Sequence, residues 1–173
     1  SGMRRSRGPL SLSINEEAGF LPDHGAVALA HLILGGFGFM GLLVLGFSHI
    51  LIPMFALASA PARRESFAGF AAASTALVLG VLGALADSRN LLIAATLVGL
   101  VASALHLWLM HRVLKTGMRK RLGLSFVLVR AAWIMLPTTL LVGLAALNGF
   151  AGTNAGTLFG FLLLFGWLLT FLL

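Results

Sequence analysis

The 173-residue chain contains no cysteine and no tyrosine, and charged residues make up only 10% of it. The absence of cysteine excludes disulfides, thiolate metal sites and cysteine nucleophiles. The scarcity of charge, together with 59% hydrophobic residues and a mean hydropathy of +1.02, excludes an ordinary soluble domain. Aspartate and glutamate are missing from the long apolar stretches, and this absence argues against proton transport.

The chain consists instead of apolar runs long enough to cross a bilayer. They predict an all-α fold, a polytopic transmembrane bundle of about five helices near residues 25–57, 67–86, 91–110, 122–147 and 157–173. A polar N-terminal tail at 1–23 precedes this transmembrane helical domain at 24–173. We expect the lipid bilayer as the main partner. The last run has no polar anchor after it, so we also expect either further C-terminal helices or a homo-oligomer.

The net charge of +7 arises mainly from basic residues between the apolar runs. One basic loop contains Arg63 and Arg64, and another covers 111–121. Both loops fall on the same side of the membrane, and the positive-inside rule makes that side cytoplasmic and the N-terminal tail external. We therefore expect a multi-pass protein of the inner (cytoplasmic) membrane of a bacterium, with no nucleic-acid partner.

The first apolar run combines histidines with glycines. In a uniform α-helix, at about 100° per residue, His24, His31 and His49 would share one face, with Gly35 and Gly38 close to it. A histidine in lipid usually faces a partner, a cofactor or water, and haem iron commonly accepts imidazole. We predict a haem ligand at His31, with the glycines giving the ring room. Close helix packing is the alternative role for the glycines.

His106, inside the third run, is the second clearly intramembrane histidine and a further candidate ligand of haem or metal. His49 is a third candidate for cofactor binding, and the candidates for binding a metal are His31, His106 and His24. At about 1.5 Å per residue, His31 lies near the outer edge, His106 deeper and His49 deeper still. We therefore expect no pair of these histidines to clamp one haem. Arg130, in the fourth run, either snorkels to the cytoplasmic surface or pairs with an anionic group such as a haem propionate.

The first run resembles a helix in subunit I of the haem-copper oxidases, in which a ligand histidine is followed by glycines and then by a proline. The matching residues here are His31, Gly35 and Gly36, followed by the stretch 46–53, which ends in proline. The run is also similar to the NnrS family, haem- and copper-containing membrane proteins linked to nitric-oxide stress. The chain departs from the oxidases because it has no adjacent His-His pair for copper and no tyrosine.

The resemblance implies a haem-binding integral membrane protein of respiratory or nitric-oxide metabolism, in the form of an oxidase-like or NnrS-like fragment. The implied cofactor is haem b, with copper as a second candidate. Whether the protein is an enzyme is left open. Two other functions also stay open, a transporter or channel subunit and a cofactor-free assembly partner of a larger membrane complex.

Overall fold

The computed structural model describes residues 24–118, 123–150, 152 and 154–172. Within these residues the chain folds into five helices, which are α1 (His24–Ala56), α2 (Arg63–Leu85), α3 (Arg89–Thr116), α4 (Leu124–Leu147) and α5 (Ala155–Leu172). All five are long and apolar enough to cross a membrane. The prediction of an all-α, multi-pass helical bundle is confirmed. The N-terminal tail at 1–23 lies outside the described residues.

The third helix is longer than the sequence suggested. It continues past Met110 to Thr116, so its last turns contain His111, Arg112 and Lys115, which we had placed in a loop. Basic side chains near a helix C-terminus interact favourably with the helix dipole, which helps the helix to continue.

Contacts at the helix ends fix the helix directions. Glu65, at the start of α2, forms an ion pair with Arg112, near the end of α3, so α2 and α3 run antiparallel. The amide of Met118 donates to the carbonyl oxygen of Leu57 at 3.5 Å, so α1 and α3 end side by side. Arg63 and Arg64, which were expected in a loop, form the first turn of α2, and the described basic residues of 111–118 lie at or near the end of α3. The two basic segments therefore lie at one end of the bundle, as predicted. Residues 119–122 are outside the described part.

Helix α1 is not a uniform α-helix, because Ile33–Gly41 forms a π-helical segment. In a π-helix the hydrogen bonds join residues five apart, so each residue turns through a smaller angle around the helix axis than in an α-helix. One residue in four therefore faces the interior along most of the helix, in the order Leu29, Ile33, Phe37, Gly41, Leu45 and His49. In a uniform α-helix, residues spaced four apart would rotate around the helix axis by about 200° between Leu29 and His49.

Helix α5 contains a second π-helical segment, Leu162–Leu169, which packs against the first. The rings of Phe37 and Trp167 stack with their centroids 5.8 Å apart. A Cβ atom added to Gly41 would lie only 3.1 Å from the Trp167 ring, so the glycine lets the indole approach the backbone of α1.

The outer surface of the bundle is also apolar. Large hydrophobic side chains, among them Phe39, Phe67 and Val101, are exposed around its circumference. In a soluble protein such a surface would aggregate. In a bilayer it faces lipid, which is the arrangement that the five apolar helices require.

Candidate metal centre

Four buried side-chain nitrogens in the described part of the chain lack a hydrogen-bond partner, and all four belong to one cluster. They are Nε2 of His49, both ring nitrogens of His106 and Nε1 of Trp133. Buried polar groups are nearly always hydrogen-bonded, and leaving one unpaired costs about 1–3 kcal/mol. The buried hydroxyls of Ser48 and Thr139 follow that rule, since each donates to a carbonyl of its own helix.

Three helices meet at this cluster. His49 comes from α1, His106 from α3 and Trp133 from α4. The two imidazole centroids lie 5.5 Å apart with the ring planes at 53°. The Trp133 ring stands perpendicular to the His106 ring at a centroid distance of 5.8 Å. His106 and Trp133 are each only 4% exposed, so the pair lies in the interior of the bundle.

A backbone contact fixes the tautomer of His49. Its Nδ1 lies 2.7 Å from the carbonyl oxygen of Leu45. Because a carbonyl can only accept, Nδ1 carries the proton and donates it, and Nε2 presents a lone pair. Metal-bound histidines usually have this arrangement, with one ring nitrogen donating to a carbonyl and the other free for the metal.

The separation of the two rings suits a shared metal ion. Two imidazole nitrogens bound to one metal at about 2.0–2.1 Å place their ring centroids roughly 5–6 Å apart. The observed 5.5 Å falls in that range. No group of three or more histidine, aspartate or glutamate side chains occurs among the described residues. Among the described residues, the pair therefore lacks the third and fourth ligands that a structural zinc site usually has.

The expected difference in depth between His106 and His49 is wrong, because their rings lie 5.5 Å apart. The depth estimate counted a uniform rise from the outer starts of the first and third runs. In the structure, α1 contains a π-helical segment, which alters that rise, and α1 and α3 are level at their other ends. The two histidines therefore lie about two to three turns from helix ends that are adjacent.

The expectation that His24, His31 and His49 share one face is also wrong. His31 is exposed, whereas His49 faces α3. His31 lies two residues from Leu29 and from Ile33, both of which line the interior, and so it points about 200° away from them. The π-helical segment that begins after His31 then changes the angle around the helix axis between His31 and His49. His24 is exposed at the start of α1.

The remaining predicted site residues lie in different surroundings. Gly35 is exposed, and a Cβ added there would meet nothing within 4 Å, so the backbone is open on the outer side of α1. Gly38 is buried, with its Cβ position 3.3 Å from Leu77 of α2, and therefore serves helix packing. Arg130 is exposed on α4, one turn before Trp133. Trp133 was not among the predicted site residues.

A cavity of about 300 Å³ lies between the five helices next to the histidine pair. Leu45 and Ser103 belong to its wall, one turn before His49 and His106 respectively. The Ser103 hydroxyl donates to a carbonyl of its own helix, and so does that of Thr96, the other hydroxyl in the wall. The wall therefore offers no free hydroxyl group to a ligand in the cavity. None of the described residues that line the cavity is a histidine.

Comparisons of the chain with protein-family models, with curated proteins and with solved structures find no match.

Proposed function

We propose that this chain is a multi-pass membrane protein that binds a transition metal through His49 and His106. The observation that carries the proposal is the set of unpaired nitrogens. Nε2 of His49 and both ring nitrogens of His106 are buried without partners, on rings 5.5 Å apart. A metal ion would use one lone pair from each ring, and so give a partner to two of these three nitrogens.

The surroundings of the pair support this role. The hydrogen bond from His49 to the Leu45 carbonyl holds the ring in one tautomer and orientation, as second-shell partners of metal-bound histidines do. Trp133 covers His106 and keeps water away from it. A rigid, dry pair of imidazoles needs little rearrangement to bind an ion.

Metal analysis of the purified protein tests this proposal. The wild-type protein is expected to retain or take up a transition metal in stoichiometric amount, and His106→Leu is expected to lose it. His111→Leu is the matched control, because His111 is exposed on the same helix. Absence of any bound metal in the wild type, or an equal loss in the control, would contradict the proposal.

Haem, the cofactor that the resemblance implies, is the second candidate. It does not fit between His49 and His106 as they stand, because their rings are adjacent inside the bundle. The observation that favours haem elsewhere is on the outer side of α1, where His31 is exposed and Gly35 leaves the backbone open. A flat ring could lie there, facing lipid or a second copy of the chain. A Soret band that disappears in His31→Ala and persists in His106→Leu would establish this arrangement.

We further propose an inner bacterial membrane as the location, with the basic end of the bundle in the cytoplasm. The clustering of Arg63, Arg64, Arg112 and Lys115 at one end supports that orientation. A place in respiratory or nitric-oxide metabolism rests on the resemblance alone.

A further inference from the structure

We propose that the ion held by His49 and His106 is copper(I), and that the thioether sulfur of Met110 is its third ligand. This inference rests on the metal-binding function proposed above and adds the identity of the ion and a ligand to it.

Met110 lies on the same side of α3 as His106. It follows His106 by one turn on α3 and is fully buried. It belongs to the same buried cluster as Ile52, which follows His49 by one turn on α1, and Trp133, which covers His106. Long side chains on a helix lean toward the preceding turn, and for Met110 the preceding turn is the one that carries His106.

Methionine is also suited to this task chemically. Its side chain is flexible and its sulfur polarisable, so it adapts to an ion as readily as to a core. Thioether sulfur is a soft ligand that selects copper(I), and imidazole is an accepted ligand of copper.

The charge of the ligand set points to the same ion. Two neutral imidazoles and a thioether bring no negative charge. The chain has no cysteine. The acidic residues that the structure describes, Glu65 and Asp87, lie at the ends of helices, where Glu65 pairs with Arg112. The cost of burying an ion rises with the square of its charge, so a monovalent ion costs about a quarter as much as a divalent one. A neutral, buried set of ligands therefore favours copper(I) over zinc(II).

The test is an anaerobic titration of the purified full chain with copper(I), in competition with a chromophoric copper(I) chelator, alongside a titration with zinc(II). The wild type is expected to bind copper(I) stoichiometrically and more tightly than zinc(II). Met110→Leu conserves volume and is expected to lower copper(I) affinity roughly tenfold or more, since even outer-shell changes have effects of that size. Met135→Leu is the matched control, because Met135 packs against a different buried cluster, between α4 and α5.

X-ray absorption of the copper-loaded wild type provides a second measurement that needs no variant. Nitrogen and sulfur scatterers are expected together, and Met110→Leu is expected to lose the sulfur. Unchanged affinity and an unchanged sulfur signal in Met110→Leu would overturn the role of Met110. A preference for zinc(II) would overturn the identity of the ion. Both results would leave metal binding intact, whereas failure of the wild type to bind any metal would overturn the proposed function itself.

Discussion

The imidazole rings of His49 and His106 lie 5.5 Å apart on two helices that run in the same direction and end side by side. Around them the bundle is apolar, and its buried hydroxyls are satisfied within their own helices. Fully apolar packing at these positions would be more stable, since isosteric replacement of buried polar groups is often neutral or stabilising. Local departures from stable packing are typical of functional sites.

The first prediction concerns the stability of the metal-free protein. His106→Leu removes two unpaired buried nitrogens and puts an apolar side chain of similar size into the interior of the bundle. We expect it to raise the free energy of unfolding by about 1–2 kcal/mol in the presence of a chelator. Denaturant unfolding in detergent measures this change. Exposed His111→Leu is expected to have little effect, and a destabilised His106→Leu protein would show that the ring has a structural role.

The second prediction concerns the approach of α1 to α3. A Cβ added to Gly117 would lie 2.7 Å from the carbonyl oxygen of Ala56, which is a backbone atom and cannot rotate away. Gly117→Ala must therefore push the ends of α1 and α3 apart. We expect a loss of about 1–3 kcal/mol in stability, typical of overpacking, and weaker metal binding, because the two ligand helices separate.

Gly160→Ala, inside α5, is the control for this prediction, because a Cβ there meets nothing within 4 Å. It is expected to be at least as stable as the wild type and to keep its metal affinity. Wild-type metal affinity in a destabilised Gly117→Ala protein would show that the helix ends do not set the separation of the ligands.

The third prediction concerns the ion pair between α2 and α3. Arg112 donates two hydrogen bonds to the carboxylate of Glu65, at 2.8 and 2.6 Å, and its guanidinium lies 4.7 Å from the centre of the Trp108 ring. The pair is partly exposed, so we expect a small favourable coupling energy, as is usual for an ion pair at the surface. A double-mutant cycle with Glu65→Gln and Arg112→Gln measures it at low salt. The coupling should decrease with added salt, and a value near zero at low salt would contradict a stabilising pair.

The helices were predictable because long apolar runs leave few other structures in lipid. The runs gave the number and approximate bounds of the helices. They did not show that the segment Ile33–Gly41 is π-helical. Apolar residues occur on all sides of this helix, so their pattern does not indicate which residues face inward. The signal available in the sequence was the spacing of four along the inward stripe from Leu29 to His49.

The two histidines of the candidate site could be singled out from the sequence, but their pairing could not. Histidines within lipid are costly, so His49 and His106 were recognisable as functional candidates. Their pairing depended on the phase and rise of α1, which a uniform helix does not provide, and on which ends of α1 and α3 lie level. Met110 and Trp133 look like ordinary core residues in the sequence, and only their packing around His106 distinguishes them.

The last prediction concerns orientation in the membrane. The chain has no cysteine, so a single introduced cysteine reports its own side without background. Ser59, in the turn after α1, and Phe150, in the turn after α4, are exposed and lie at opposite ends of the bundle. Because the basic residues cluster at the end that contains Ser59, the positive-inside rule places that end in the cytoplasm. A membrane-impermeant maleimide added to intact cells is expected to label Phe150→Cys, and to label Ser59→Cys only after permeabilisation. Labelling of Ser59→Cys but not of Phe150→Cys in intact cells would reverse the orientation.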